Sequence, residues 1–399
     1  MKQSRDALVI SAVFLLCLQW VFLRFSGNHL PTPWSAIAPG IAIFGAAFIL
    51  SWGAELAQFY IPQSLAIAFL ALIAVLPEYA VDMYFAWQAG KNPEYIHFAT
   101  ANMTGANRLL IGVGWATVVF AYFFKTKKKE VVLEPSNRIE LFGLGAATLY
   151  CFIIPIKGTI SWVDSIFLLS IFAVYIFQAT QSDHEEPEVE EPLIAISRWS
   201  WGRRLAVTVF FFLFAGLTIF LSAEPFAEGL LETGRHWGIE EFILVQWLAP
   251  LASESPEFII AILFALRAKA SASLGTLLSS KVNQWTLLVG MLALVYNLSA
   301  GHILPMPMDP RQTEEIFLTA AQSLFAFVVI ANLRFSLIEG LLLLLLFATQ
   351  ILFTSPVSRH YYAFFYLLLS VGWLAFGPSN RRGVFEIMKA FSKNERKGP

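Results

Sequence analysis

Long apolar segments and short polar ones alternate twelve times along this chain, and that alternation leaves few folds open. The apolar segments fall at about residues 7–26, 36–57, 63–88, 96–124, 138–156, 161–180, 205–223, 240–266, 271–298, 313–333, 336–354 and 361–377. A bilayer's hydrocarbon core is ~30 Å thick, which a helix of ~20 apolar residues crosses. Without water inside it, only helices and closed barrels satisfy their own backbone groups. Segments of this length predict helices. With 57% hydrophobic and 14% charged residues, the chain is too apolar for a soluble domain. The reading is an all-α polytopic membrane protein of about 12 transmembrane helices.

The first segment follows Lys2 and Arg5 as a signal peptide would. Its far end, Leu23-Arg24-Phe25-Ser26-Gly27, offers no small-residue cleavage site, so a retained helix is expected. Cys17 and Cys151 both lie in apolar segments and read as small core residues without a disulfide.

The net charge of −1 says little, but its distribution gives a direction. With the N-terminus inside, 19 of the 27 Lys and Arg fall on inner segments, six on outer ones, and Arg108 and Lys281 within spans. Cytoplasmic loops carry the excess of Lys and Arg. Both termini are therefore expected in the cytoplasm, of a plasma-membrane protein. Residues 181–204, with their run of Glu and Pro, read as a solvated acidic cytoplasmic linker. The basic tail from Asn380 is expected to lie on anionic lipid.

Two copies of one element stand inside this apolar background: Pro77-Glu78-Tyr79 and Pro256-Glu257-Phe258. An ionisable side chain at membrane depth is expensive and by default marks a functional site. A neighbouring Pro frees backbone groups, as in helices broken around a cavity. An offset of 179 residues superposes Glu78 on Glu257 and Phe85-Ala86 on Phe264-Ala265. Beyond the next loop the offset becomes 176, and Thr104 meets Ser280, Asn107 meets Asn283 and Gly114 meets Gly290. In the assigned topology the two Glu helices run in opposite directions. The expectation is two inverted five-helix repeats, 36–180 and 205–354, with an extra helix at each end in 1–35 and 355–399.

Such halves, each a Pro-Glu helix followed by a Gly/Ser/Asn-bearing helix, resemble the calcium/cation antiporter superfamily of sodium/calcium exchangers. The family pattern is Gly-Thr-Ser-x-Pro-Glu, then Gly-Asn-x-x-Gly-Ser-Asn. The resemblance covers about 36–354 and implies a secondary active antiporter without a cofactor, exchanging Ca2+ or Na+ for Na+ or H+ by alternating access around Glu78 and Glu257. By resemblance these glutamates are the metal ligands, helped by Thr104 and Ser280. The chain departs from the pattern in several places. Ala74 and Val75 replace hydroxyl residues, Ser253 keeps one, and Glu254 adds a carboxylate. Arg108, Gln284 and Lys281 stand at further polar positions of the motif.

A hard cation such as Ca2+ takes six to eight oxygens. Glu78, Glu257, Ser253, Thr104, Ser280, Asn107 and Asn283 could supply them. Glu254 lies three residues before Glu257 and Asp82 four after Glu78, so each pair shares a helix face. Up to four carboxylates are thus expected at one cavity or its mouth. Arg108 and Lys281 are expected to pair with one of these acids, either excluding sodium and leaving a proton-coupled site, or disabling transport. Glu55, Glu224, Glu228 and Glu339 read as residues near helix ends, at the lipid interface. No His-Glu-x-x-His, Gly-x-Ser-x-Gly or paired intramembrane Asp supports an enzyme. Inorganic cations and membrane lipid are the expected partners, and nucleic acid is not.

Overall fold

The computed structural model describes residues 2–27, 30–60, 76–181, 189, 191–353 and 355–394. The first part of the span expected at 63–88, with Ala74 and Val75, lies outside these, as does most of the acidic run after Ser182. The described residues form two compact units, Met1–Tyr84 with Ala179–Pro256 and Phe85–Gln178 with Glu257–Pro399. Each unit therefore draws chain from both halves of the sequence.

In the first unit, α1 (Lys2–Phe25), α2 (Trp34–Ala57) and α10 (Trp201–Trp237) pack together, α2 against α10 most extensively. Small residues let them close up, because helices in lipid gain from van der Waals contact rather than from water release. A Cβ on Gly229 would lie 2.7 Å from the Ser35 backbone. Behind this seam Phe14 stacks on Phe210 and tilts against Phe214. The 37-residue α10 ends where Gly238, at φ 64°, returns its N–H to the Gly234 carbonyl. This helix runs well past the segment expected at 205–223. Glu224 and Glu228 accordingly sit inside it instead of near its end, and Glu228 accepts the Tyr84 hydroxyl at 2.7 Å. The extension escapes hydropathy because charged residues on one face do not break a helix.

Part of the expected linker is folded. The short α9 (Ile194–Ser197) buries Ile196, with Leu193 just before it, in the cluster that α1, α2 and α10 share. Glu191 pairs with Arg5 at 2.5 Å. These apolar residues seat the C-terminal part of the segment expected as a solvated acidic linker.

α3 (Leu76–Ala89) and α11 (Glu241–Leu266) carry the Pro-Glu elements and pass from one unit's chain into the other's. In the second unit, α4 (Ile96–Leu109), a π-helical turn (Leu110–Trp115) and α5 (Ala116–Thr126) form one long rod. So do α12 (Ala270–Asn283), a second π turn (Gln284–Leu288) and α13 (Val289–Ala300). Around them lie α6 (Arg138–Cys151), the short α7 (Ile153–Lys157), α8 (Trp162–Ala179), α14 (Pro310–Ile330), α15 (Leu337–Ile351), α16 (Pro356–Phe376) and α17 (Pro378–Asn394). Buried α14 packs on α4, α6 and α16. It starts at a capping box in which Asp309 and Gln312 bond each other's backbone N–H, and α15 has the same device in Ser336 and Glu339.

Four short strands clip the loops: β1 (Glu130–Val132), β2 (Thr159–Ile160), β3 (Met306–Pro307) and β4 (Arg334–Ser336). β1 pairs antiparallel with β4, and β2 with β3.

Among the described residues, seven helices are long and apolar enough to cross a membrane, or nine counting each of two bent pairs as one span. One bent pair breaks around Pro256 and the other around Gly377. The expected twelve also include α3, described only from Leu76; the rod from α12 to α13, whose Ser, Lys, Asn and Gln dilute its apolarity; and α15, which has 15 residues. Cys17 and Cys151 are both buried and free.

Candidate ion-binding site

The candidate ligands divide between the units. Glu78, Asp82, Ser253 and Glu254 belong to the first unit, and all four are buried. Ser253 donates its hydroxyl to the Ala249 carbonyl one turn back, at 3.1 Å. That bond spends the proton and leaves the oxygen's lone pairs for a cation.

The second unit holds Glu257, Thr104, Asn107, Ser280 and Asn283, with Arg108 and Lys281. The same economy recurs on α4. Thr104 donates to the Thr100 carbonyl at 2.7 Å. Asn107 donates its amide nitrogen to the Met103 carbonyl at 2.8 Å. Both side chains thereby present an oxygen as acceptor. Ser280 lies beside the Glu257 carboxyl. Among the described residues, neither the Ser280 hydroxyl nor Glu257 Oε2 has a hydrogen-bond partner of normal geometry. Phe258 packs its ring against Gly114, where a Cβ would approach to 2.9 Å, and this holds the Glu257 turn to the first rod.

The π turns begin close behind the candidate ligands, at Leu110, three residues past Asn107, and at Gln284, next to Asn283. A π turn widens the helix by one residue and recurs at functional sites.

Lys281 is fully buried. It donates to Asn107 Oδ1 at 2.5 Å and to the Asn107 carbonyl at 3.2 Å. Its ammonium also lies 4.7 Å from the centre of the Trp285 ring. The amide oxygen that α4 presents is therefore already taken by a cation belonging to the protein.

Arg108 follows another course. Its guanidinium donates to Glu315 on α14 at 2.5 Å, and Arg359 on α16 pairs with the other oxygen of the same carboxylate. Gln322 donates to the Arg108 carbonyl at 3.3 Å, and Gln350 to Gln322. Glu315 was not among the acids expected to meet Arg108, because its partners stand 207 and 44 residues away in sequence. The available signal was an acid one turn inside an apolar helix, with Arg108 inside another span and Arg359 just before a third.

Among the described residues, no three His, Cys, Asp or Glu side chains gather as a metal site. The four carboxylates expected at one cavity or its mouth are Glu78, Asp82 and Glu254 of the first unit and Glu257 of the second. A transported ion must leave as readily as it enters, so neutral oxygens and water can complete its shell.

A helical membrane protein with buried carboxylates and hydroxyl-lined helices broken by Pro and π turns has the makings of an ion transporter. The sodium/calcium exchanger family model matches residues 32–181 and 207–355. The chain belongs to the sodium/calcium exchanger family, whose members are membrane cation exchangers. It is 46% identical to the H+/Ca2+ exchanger CAX, whose crystal structure it matches with a TM-score of 0.94 over 98% of both chains. Native YfkE is 14% identical with a TM-score of 0.62, over 91% of this chain and 100% of that one. The sodium-calcium exchanger NCX_Mj is 16% identical with a TM-score of 0.52, over 78% of this chain and 95% of that one. The last two likenesses establish the fold alone. No curated protein matches the sequence.

Proposed function

We propose that this chain exchanges Ca2+ for protons by alternating access, with Glu78 and Glu257 as the carboxylates that bind either. The observation that carries proton over sodium coupling is the Lys281 ammonium on Asn107 Oδ1. Sodium needs a shell of several oxygens. A proton needs only the carboxylate it neutralises, and burial favours that neutral form. With Asn107 committed to Lys281, the second unit has one fewer oxygen for a metal and one fixed positive charge. Both favour a counter-ion that requires no shell. The 46% identity to an H+/Ca2+ exchanger supports the same reading. Thr104, Ser253, Glu254, Ser280 and Asn283 would supply further oxygens, with Asp82 placed one turn beyond Glu78.

The inverted repeat is supported by the strands. Adding 176 to the positions of β1 and β2 lands on β3 and β4 within one residue. The same operation turns the β1–β4 pairing into the β3–β2 pairing, as a pseudo-twofold axis would. The separate family matches to 32–181 and 207–355 support it too.

The test is flux in proteoliposomes loaded with Ca2+, under an imposed pH or Na+ gradient. Expected are Ca2+ efflux driven by the pH gradient, none driven by Na+, and loss of flux in Glu257→Gln. Efflux driven by Na+ would overturn proton coupling. Absence of flux under both gradients would favour the alternative, an inactive or differently selective exchanger fold in which Arg108 and Lys281 replace the bound cations. The pairing of Arg108 with Glu315 weighs against that alternative, since its charge is already answered within the protein.

A further inference from the structure

α16 has 21 residues, ~31 Å of helix, enough to cross the hydrocarbon core. At Gly377 the chain turns, and α17 leaves at 97° to α16. If α16 runs across the bilayer, α17 runs along its surface.

One stripe of α17 is fixed to the second unit. Asn380 donates to the carbonyls of Val328 at 3.0 Å and Val329 at 2.7 Å, capping the end of α14. Gly383 rests on the Ala331 carbonyl so closely that no Cβ would fit. Ile387 is buried, and Glu386 accepts from Arg138 at 2.5 Å. Residues 380, 383 and 387 fall within one ~60° arc of the helix.

The opposite arc carries Arg381, Arg382, Phe385, Met388 and Lys389, all exposed. Phe385 is 54% and Met388 50% exposed. Water alone gives no reason to place two large apolar side chains among three cations on one stripe. A membrane interface does, since apolar groups enter the acyl boundary while cations meet headgroup phosphates. The β1–β4 clip brings the neighbouring loop, with exposed Lys127, Lys128 and Lys129, to the same end of the unit. There Lys127 lies 5.2 Å from the ring centre of Phe124, itself 74% exposed. The acids at this end are partly spent, Glu386 on Arg138 and Glu130 on Arg334.

We infer that the exposed stripe of α17 is a binding surface for anionic phospholipid, with Phe385 and Met388 in the acyl boundary and Arg381, Arg382 and Lys389 on the headgroups. Such a surface fixes the end of α16, and through Asn380 the end of α14, to the bilayer plane. The inference does not depend on which ions are exchanged.

The experiment uses the full chain in proteoliposomes with Met388→Cys carrying an environment-sensitive fluorophore. Cys17 and Cys151 are buried, so labelling is selective. Trace phospholipids bearing a shallow nitroxide, one zwitterionic and one anionic, serve as quenchers. The expected result is quenching by both, several-fold stronger for the anionic lipid. That excess should vanish in the triple variant Arg381→Gln, Arg382→Gln, Lys389→Gln. Added inorganic phosphate should leave it unchanged. Equal quenching by the two lipids would overturn the headgroup assignment. No quenching by either would mean that protein covers the stripe, and would overturn the proposal altogether. Loss of the excess on adding inorganic phosphate would reassign the cations to a free anion and overturn the lipid source.

Discussion

Single residues decide how charge is carried at membrane depth. Lys281 and Arg108 are both cations within spans, yet one is tied to an amide oxygen and the other to a carboxylate. Replacing Lys281 by Asn frees Asn107 Oδ1 and restores an oxygen at position 281. The expected outcome is Ca2+ flux that becomes sensitive to Na+, measured in the same proteoliposomes; unchanged coupling would refute the role given to Lys281. Glu315 answers two guanidiniums at once, and its side chain is fully buried. Removing one partner of a buried ion pair costs ~3–5 kcal/mol because the other charge is left uncompensated. Glu315→Gln should therefore lower the thermal midpoint in detergent strongly, while Arg138→Gln, at a half-exposed pair, should barely move it. The glutamates at 78 and 257 stand out in the sequence because an acid beside Pro in an apolar run has few explanations. Glu315 was not, since what makes it informative is its two partners.

Elements hold together by end chemistry and close approach. The Asp309–Gln312 box starts α14, the most buried of the helices that qualify as spans. Asp309→Ala should cost ~1 kcal/mol, readable as a lower unfolding midpoint with flux retained below it. Equal stability of the variant would show that the cap contributes nothing. Helix positions were largely legible, as hydropathy reports directly on what lipid demands. The far reach of α10 was not, because Glu224, Pro225, Glu228 and Glu232 lower the apolarity of a helix that continues to Trp237. The π turns were equally silent. They depend on backbone hydrogen bonding, which no residue type dictates.

At the scale of the molecule, the direction of the chain through the bilayer is open to direct test. From the Lys and Arg distribution the loop at Lys128 is expected inside and that at Lys157 outside. A membrane-impermeant thiol reagent on intact cells should label Lys157→Cys and not Lys128→Cys, with buried Cys17 and Cys151 silent. The reverse pattern would invert the topology.

The sequence by itself determined the class of fold and singled out the acids beside Pro, since hydrocarbon penalises every exception and so makes each one visible. Tertiary structure alone decided the rest. Each compact unit takes chain from both halves. Arg108 finds Glu315 and Lys281 finds Asn107 across 207 and 174 residues. α17 turns one stripe to the protein and leaves the other exposed. Those are choices among distant partners of similar chemistry, and only packing, with its geometric demands, selects between them.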